Sequence, residues 1–125
     1  MTAVAVNSNS FSYANAGAGA TSQAATTSHA PIFTFTSGKT STTTPSSTYG
    51  SLSATVTYSL ASSQNGFTAV NSSTGALTCT SRGTTIGNAR ASANVTKSVT
   101  YKWTPTSGYG SAVTSSASTK TATCT

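Results

Sequence analysis

The most constraining feature of this chain is an eleven-residue alternation over Ser51–Ala61. Leu52, Ala54, Val56, Tyr58 and Leu60 are separated by Ser51, Ser53, Thr55, Thr57 and Ser59. Successive side chains of a strand point to opposite faces. A period of two therefore predicts a β-strand with one apolar face toward a core and a Ser/Thr face toward water. Burying each large side chain stabilises by about 1.5–3 kcal/mol. A slip of one residue would put the whole apolar set in water, so the pattern specifies register as well as conformation.

Other stretches supply strands for it to pair with. Ile32-Phe33-Thr34-Phe35-Thr36 follows Pro31, and Phe33 and Phe35 share a face. Phe11 and Tyr13 do the same in an expected first strand, Asn9–Ala14. Residues 1–10 read as a flexible or partner-bound arm and 11–125 as the folded domain. Thr21–Ser28 reads as a short edge segment, and Ser41–Tyr49, with Pro45, as loop. In Ala89–Trp103, Val95, Lys97, Val99, Tyr101 and Trp103 have one parity. Lys97 interrupts that face and predicts a bulge or a position near a sheet edge. Ala112–Cys124 is the last expected strand.

Between these lies Gly66–Arg90. Two short apolar runs, Phe67–Val70 and Ala76–Thr80, flank Asn71-Ser72-Ser73-Thr74-Gly75, the signal for a β-hairpin. A second loop at Ser81–Asn88 is punctuated by Gly83 and Gly87. No 3.6-residue apolar stripe or capping box predicts a helix. Several short strands separated by Gly, Pro and Asn turns predict an all-β sandwich. Its expected core is Phe33, Phe35, Val56, Tyr58, Phe67, Leu77, Val99 and Trp103.

Composition narrows the chemistry. The chain has 125 residues, the size of one domain, and contains no Asp or Glu. A calcium site, a glycosidase carboxylate pair or a Ser-His-Asp triad cannot be built from this chain alone. The net charge of +6 comes from Lys39, Arg82, Arg90, Lys97, Lys102 and Lys120. These cations are scattered, unlike the dense clusters of nucleic-acid binders, so no nucleic-acid partner is expected; they read as solubility or as an electrostatic preference for an anionic partner. No run approaches the roughly 20 apolar residues of a membrane span. Met1–Val6 lacks the basic start and apolar core of a signal peptide. The expectation is synthesis in a cytoplasm and arrival at a surface by assembly onto something that leaves the cell.

Cys79 and Cys124 allow either a disulfide, in an oxidising compartment, or two buried thiols. With the distant His29 they do not make a zinc site, and no metal or cofactor is expected. Gly38-Lys39-Thr40 looks like the end of a phosphate-binding loop, but Phe33 stands where that motif needs a glycine. His29 reads as a solvated histidine. Asn71-Ser72-Ser73 and Asn94-Val95-Thr96 match the glycosylation sequon as products of a Ser/Thr-rich chain. Tyr49, Tyr58, Tyr101, Tyr109 and Trp103 could form a stacking face for sugars. Most read as core, with Tyr109, in the Gly108-Tyr109-Gly110 turn, as the exposed surface contact.

The hairpin also carries a family likeness. Phe67-Thr68-Ala69-Val70-Asn71-Ser72-Ser73-Thr74-Gly75-Ala76-Leu77-Thr78 resembles a recurring pattern of bacterial immunoglobulin-like and cadherin-like modules. Ser81-Arg82-Gly83-Thr84-Thr85-Ile86-Gly87 is similar to a loop of immunoglobulin-like domains on tailed-phage structural proteins, notably of phages of gut bacteria. The likeness extends over residues 11–125, but only 66–90 is specific.

The resemblance implies an immunoglobulin-like sandwich of about seven to nine antiparallel strands, without catalysis. In its turns, Asn71 would hydrogen-bond the backbone and Gly75 would adopt a conformation other residues resist, with Thr74, Gly83 and Gly87 shaping the loops. Cadherin modules carry acidic calcium ligands, and this chain has none, so calcium-bridged adhesion does not carry over. The implied role is a virion structural protein, a capsid decoration or auxiliary subunit, multimeric in the assembly and attached to other virion proteins through residues 1–30. The alternative is an adhesin-like module at the cell surface or outside the cell that binds host glycans or mucin. A hydrolase is not expected, because Ser-x-x-Lys and every acid are missing.

Overall fold

The computed structural model describes residues 1–13, 22–60, 67–79 and 94–123. Among these residues every regular element is a β-strand and there is no helix. The strands are β1 (Ala3–Tyr13), β2 (Ser22–Gln23), β3 (Ala25–Thr34), β4 (Thr40–Ser41), β5 (Gly50–Leu60), β6 (Phe67–Val70), β7 (Leu77–Cys79), β8 (Asn94–Pro105) and β9 (Val113–Thr123). They form three three-stranded sheets, in the orders β1-β3-β4, β2-β7-β6 and β5-β8-β9.

The alternation over Ser51–Ala61 becomes β5. Its Ser/Thr positions are exposed, Tyr58 is buried, and Leu52, Val56 and Leu60 are partly buried. The hairpin forms as β6 and β7, antiparallel, with Phe67 opposite Cys79 and Val70 opposite Leu77 and an irregularity between Phe67 and Ala69. On its other side β7 pairs antiparallel with β2, Gln23 opposite Leu77. β4 pairs antiparallel with β3 only at Phe33 and Thr34. Pro31 thus lies in a part of β3 that β4 does not reach, which suits a residue with no N–H to donate.

Two expectations need correction. Residues 3–10 are not a free arm: they belong to β1, which lies beside β3, and Thr2 N–H donates to Thr34 O at 2.8 Å. The alternation Ala3-Val4-Ala5-Val6 is too weak in side-chain volume to announce a strand, but Val4 is buried, at 5% exposure. Lys97 is not near a sheet edge. β8 is the middle strand between β5 and β9, and Lys97 is fully buried on the same face as Val95, Val99, Tyr101 and Trp103.

Contacts divide the chain into two units. The first comprises Met1–Asn9, Ser28–Thr55 and Val99–Ala117, the second Ser10–Thr27, Val56–Ser98 and Ser118–Thr125. In the first, the buried apolar side chains are Val4, Phe33, Val99, Tyr101 and Trp103. The Phe33 and Trp103 rings meet edge to face, 6.1 Å apart at 75°. In the second, Tyr58 and Val95 form the core, with Phe11, Tyr13, Val56, Leu60 and Val70 packed against them. Phe11 meets Tyr13 at 5.9 Å and Tyr58 at 5.8 Å, both edge to face. Such aromatic pairs add about 0.5–1.5 kcal/mol each beyond their area burial.

Candidate functional site

The first unit holds an open cavity of about 250 Å³, lined by Met1, Phe35, Pro45, Tyr49, Trp103 and Tyr109. Its residues come from distant segments, and the backbone explains how they meet. Phe35 follows β3 and is clasped by its own turn: Gly38 N–H donates to Phe35 O at 2.8 Å, and Phe35 N–H to Lys39 O at 2.9 Å. Tyr49 ends a turn in which its N–H donates to Ser46 O at 3.0 Å. Tyr109 ends another, its N–H donating to Thr106 O at 3.0 Å. Thr106 N–H then donates to Tyr49 O at 2.9 Å, tying the two turns together.

The next residue, Gly50, makes this closure feasible. Its φ is +156°, and a Cβ there would lie 2.6 Å from Thr104 O, 2.7 Å from Trp103 Cζ2 and 2.8 Å from Pro105 Cα. Only a residue without a side chain lets β5 begin this close to β8. The outcome is a corner of two rings: Tyr49 and Tyr109 stand 5.0 Å apart at 85°. Both are 49% exposed, whereas Trp103 behind them is 3% exposed. Sequence reasoning named Tyr49, Trp103 and Tyr109 among five aromatics of a possible stacking face but singled out Tyr109 alone as exposed, whereas Tyr49 is equally so. The periodic signal ends before both, and the pairing depends on the Thr106–Tyr49 hydrogen bond between segments more than fifty residues apart.

In the second unit the turn at Asn71–Gly75 is a structural clasp. Asn71 Oδ1 accepts from the backbone N–H of Ser73 at 2.9 Å and of Thr74 at 3.0 Å. Asn71 N–H donates to Ala76 O and Gly75 N–H to Asn71 O, both at 2.8 Å. Thr74 Oγ1 accepts from Ala76 N–H at 3.3 Å. Gly75 has φ +76°. The turn is fastened to its surroundings by Tyr58 N–H donating to Ser72 O at 3.0 Å and by Tyr13 O–H donating to Gly75 O. Nothing in this arrangement presents a reactive group.

Lys97 is the chemically unusual group of this unit. Its Nζ donates to Ser10 O at 3.0 Å, and burial pushes its pKa below the ordinary 10.5. No Asp or Glu exists in the chain to pair with it. In the first unit, burial raises Tyr101 above the ordinary 10.0. His29, expected in solvent, is instead partly buried with its ring 6.2 Å from that of Tyr101. Gly38, at φ +83°, and Lys39 complete a turn that leads into the short strand β4 at Thr40. Gly83, Gly87 and Cys124 lie outside the described residues, and so does the Cys79 side chain with any pairing it makes. Among the described residues no group of three or more His, Cys, Asp or Glu is placed to hold a metal ion. No known family model, curated protein or solved structure matches this chain.

Proposed function

We propose that the chain is an immunoglobulin-like β-sandwich that serves, without catalysis, as a structural protein on a virion surface. The observation that carries this reading is the Asn71–Gly75 clasp. The stretch that resembles bacterial immunoglobulin-like and cadherin-like modules spends its characteristic residues on backbone hydrogen bonds and on contact with the buried Tyr58 ring. That use is mechanical. A chain without Asp or Glu suits a role of display and attachment.

Attachment to the assembly then proceeds by surface rather than by a loose arm. β1 stands at the end of the β1-β3-β4 order, so it offers a strand edge to a neighbouring protein. The measurement is mass spectrometry of gradient-purified particles from cells that express the chain from its own locus. The chain should sediment with the particles at a fixed ratio to the main shell protein. Recovery only in the soluble fraction would reject the reading.

A further inference from the structure

We propose that the cleft lined by Tyr49, Tyr109, Trp103, Phe35 and Pro45 binds an extended, proline-containing segment of a partner protein, flanked by acidic residues. This goes beyond the structural role and does not depend on which assembly carries the module.

The shape comes first. Two tyrosines, each half exposed, form a right-angled corner over an apolar cavity. A single exposed aromatic needs no explanation, but a paired corner above a cavity is the form of a ligand site. Aromatic-lined grooves are also the established receptors for polyproline II segments, whose rings seat between aromatic side chains.

Hydrogen-bond chemistry then selects the occupant. The lining side chains offer two phenolic O–H groups, which donate and accept, and one indole N–H, which only donates, so donors outnumber side-chain acceptors. A proline tract has no N–H of its own, and its carbonyls have no internal partners, so it needs donors alone. A sugar also brings several hydroxyl protons that need acceptors; the two phenolic oxygens take some of them, and the chain has no carboxylate to take the rest.

Two further features favour the peptide. The exposed Lys39 sits in the turn that clasps Phe35, in a chain of charge +6 without acids, so acidic residues beside the prolines meet a complementary field. The Thr106–Tyr49 hydrogen bond holds the tyrosine corner in place before binding, and a polyproline II segment is itself largely preformed. Both reduce the ordering cost of association.

The test is fluorescence anisotropy on the full chain with two labelled probes, a neutral oligoproline peptide and one ending in glutamates. Both should bind saturably, the acidic one more tightly, and Tyr109→Ala should weaken both about tenfold or more. Tyr109→Phe keeps the ring and should lose less. Lys39→Gln should bring the acidic probe to the level of the neutral one. NMR of the unaltered protein should show shifts at the Trp103 indole N–H. The proposal is overturned if neither probe binds the folded chain, if Tyr49→Ala and Tyr109→Ala both bind as the unaltered chain does, or if soluble glycans occupy the cleft and the peptides do not. An acidic probe indifferent to Lys39→Gln overturns the acidic flank.

Discussion

A Cβ placed on Gly75 would lie 2.8 Å from both Cδ1 and Cε1 of Tyr58, a ring that is only 2% exposed. The hairpin turn and the core of the second unit therefore share one contact surface. Gly75→Ala meets two penalties, a left-handed φ of +76° and a ring that cannot swing into solvent. The first costs about 1–2 kcal/mol and the overpacking about 1–3 kcal/mol. A loss of about 2–5 kcal/mol in urea unfolding is expected, with Tyr58→Leu in the same background recovering part of it. A Gly75→Ala protein as stable as the parent would contradict this contact.

Asn71 should show a smaller, side-chain effect. Asn71→Ala leaves the exposed N–H groups of Ser73 and Thr74 to water and should cost about 1 kcal/mol, by analogy with loss of a capping side chain. Asn71→Asp keeps the acceptor and should be nearly neutral. Equal losses for the two variants in thermal melts would show that Oδ1 is not what holds the turn.

Gly50 is the corresponding point of the first unit. The nearest atoms to an added Cβ include Thr104 O and Pro105 Cα, which are backbone and cannot rotate away. Gly50→Ala should destabilise by about 2–4 kcal/mol and pull Tyr49 from its place beside Tyr109. Near-ultraviolet circular dichroism, which reports the tyrosine environments, should change along with the melting temperature.

The buried Lys97 predicts an unusual pH profile. Its pKa is lowered in the folded protein, so the unfolded chain holds more protons between that lowered value and 10.5. Stability should therefore rise with pH through this window, toward 10.5. Tyr101 has the opposite effect at higher pH. With its folded pKa raised above 10.0, the unfolded chain loses its proton first, and stability falls as pH climbs past 10.0. Lys97→Met should flatten the rising limb and be neutral or stabilising near neutral pH, because it replaces a buried amine by an apolar chain of similar length. Tyr101→Phe should soften the falling limb. Urea melts across this range measure both, and an unchanged rising limb in Lys97→Met would refute the assignment.

Much of the local structure was legible in the residues. The Ser51–Ala61 alternation became β5 with its Ser/Thr face in water, and the two apolar runs around Asn71–Gly75 became β6 and β7. The common parity of Val95, Val99, Tyr101 and Trp103 became a buried face. These features rest on interactions within a few residues, or on a period repeated often enough to outweigh single exceptions. They are set by the sequence alone.

Other features depend on which strands become neighbours, and no local pattern carries that. Lys97 breaks its own apolar face, yet that face of β8 is buried and the lysine turns to the carbonyl of Ser10, which belongs to β1. Residues 3–10 are too small to announce a strand, yet lying beside β3 pairs the backbone groups that face it, and Val4 is buried. The tyrosine corner is the plainest case. Tyr49 and Tyr109 lie in separate turns, and only the Thr106–Tyr49 hydrogen bond and the bare Cα of Gly50 bring their rings to 5.0 Å. The sequence by itself determined strands, faces and the hairpin turn, because those follow from short-range sterics and periodicity. The tertiary structure decided the enclosed lysine and the aromatic cleft, because each needs side chains that only strand order brings together.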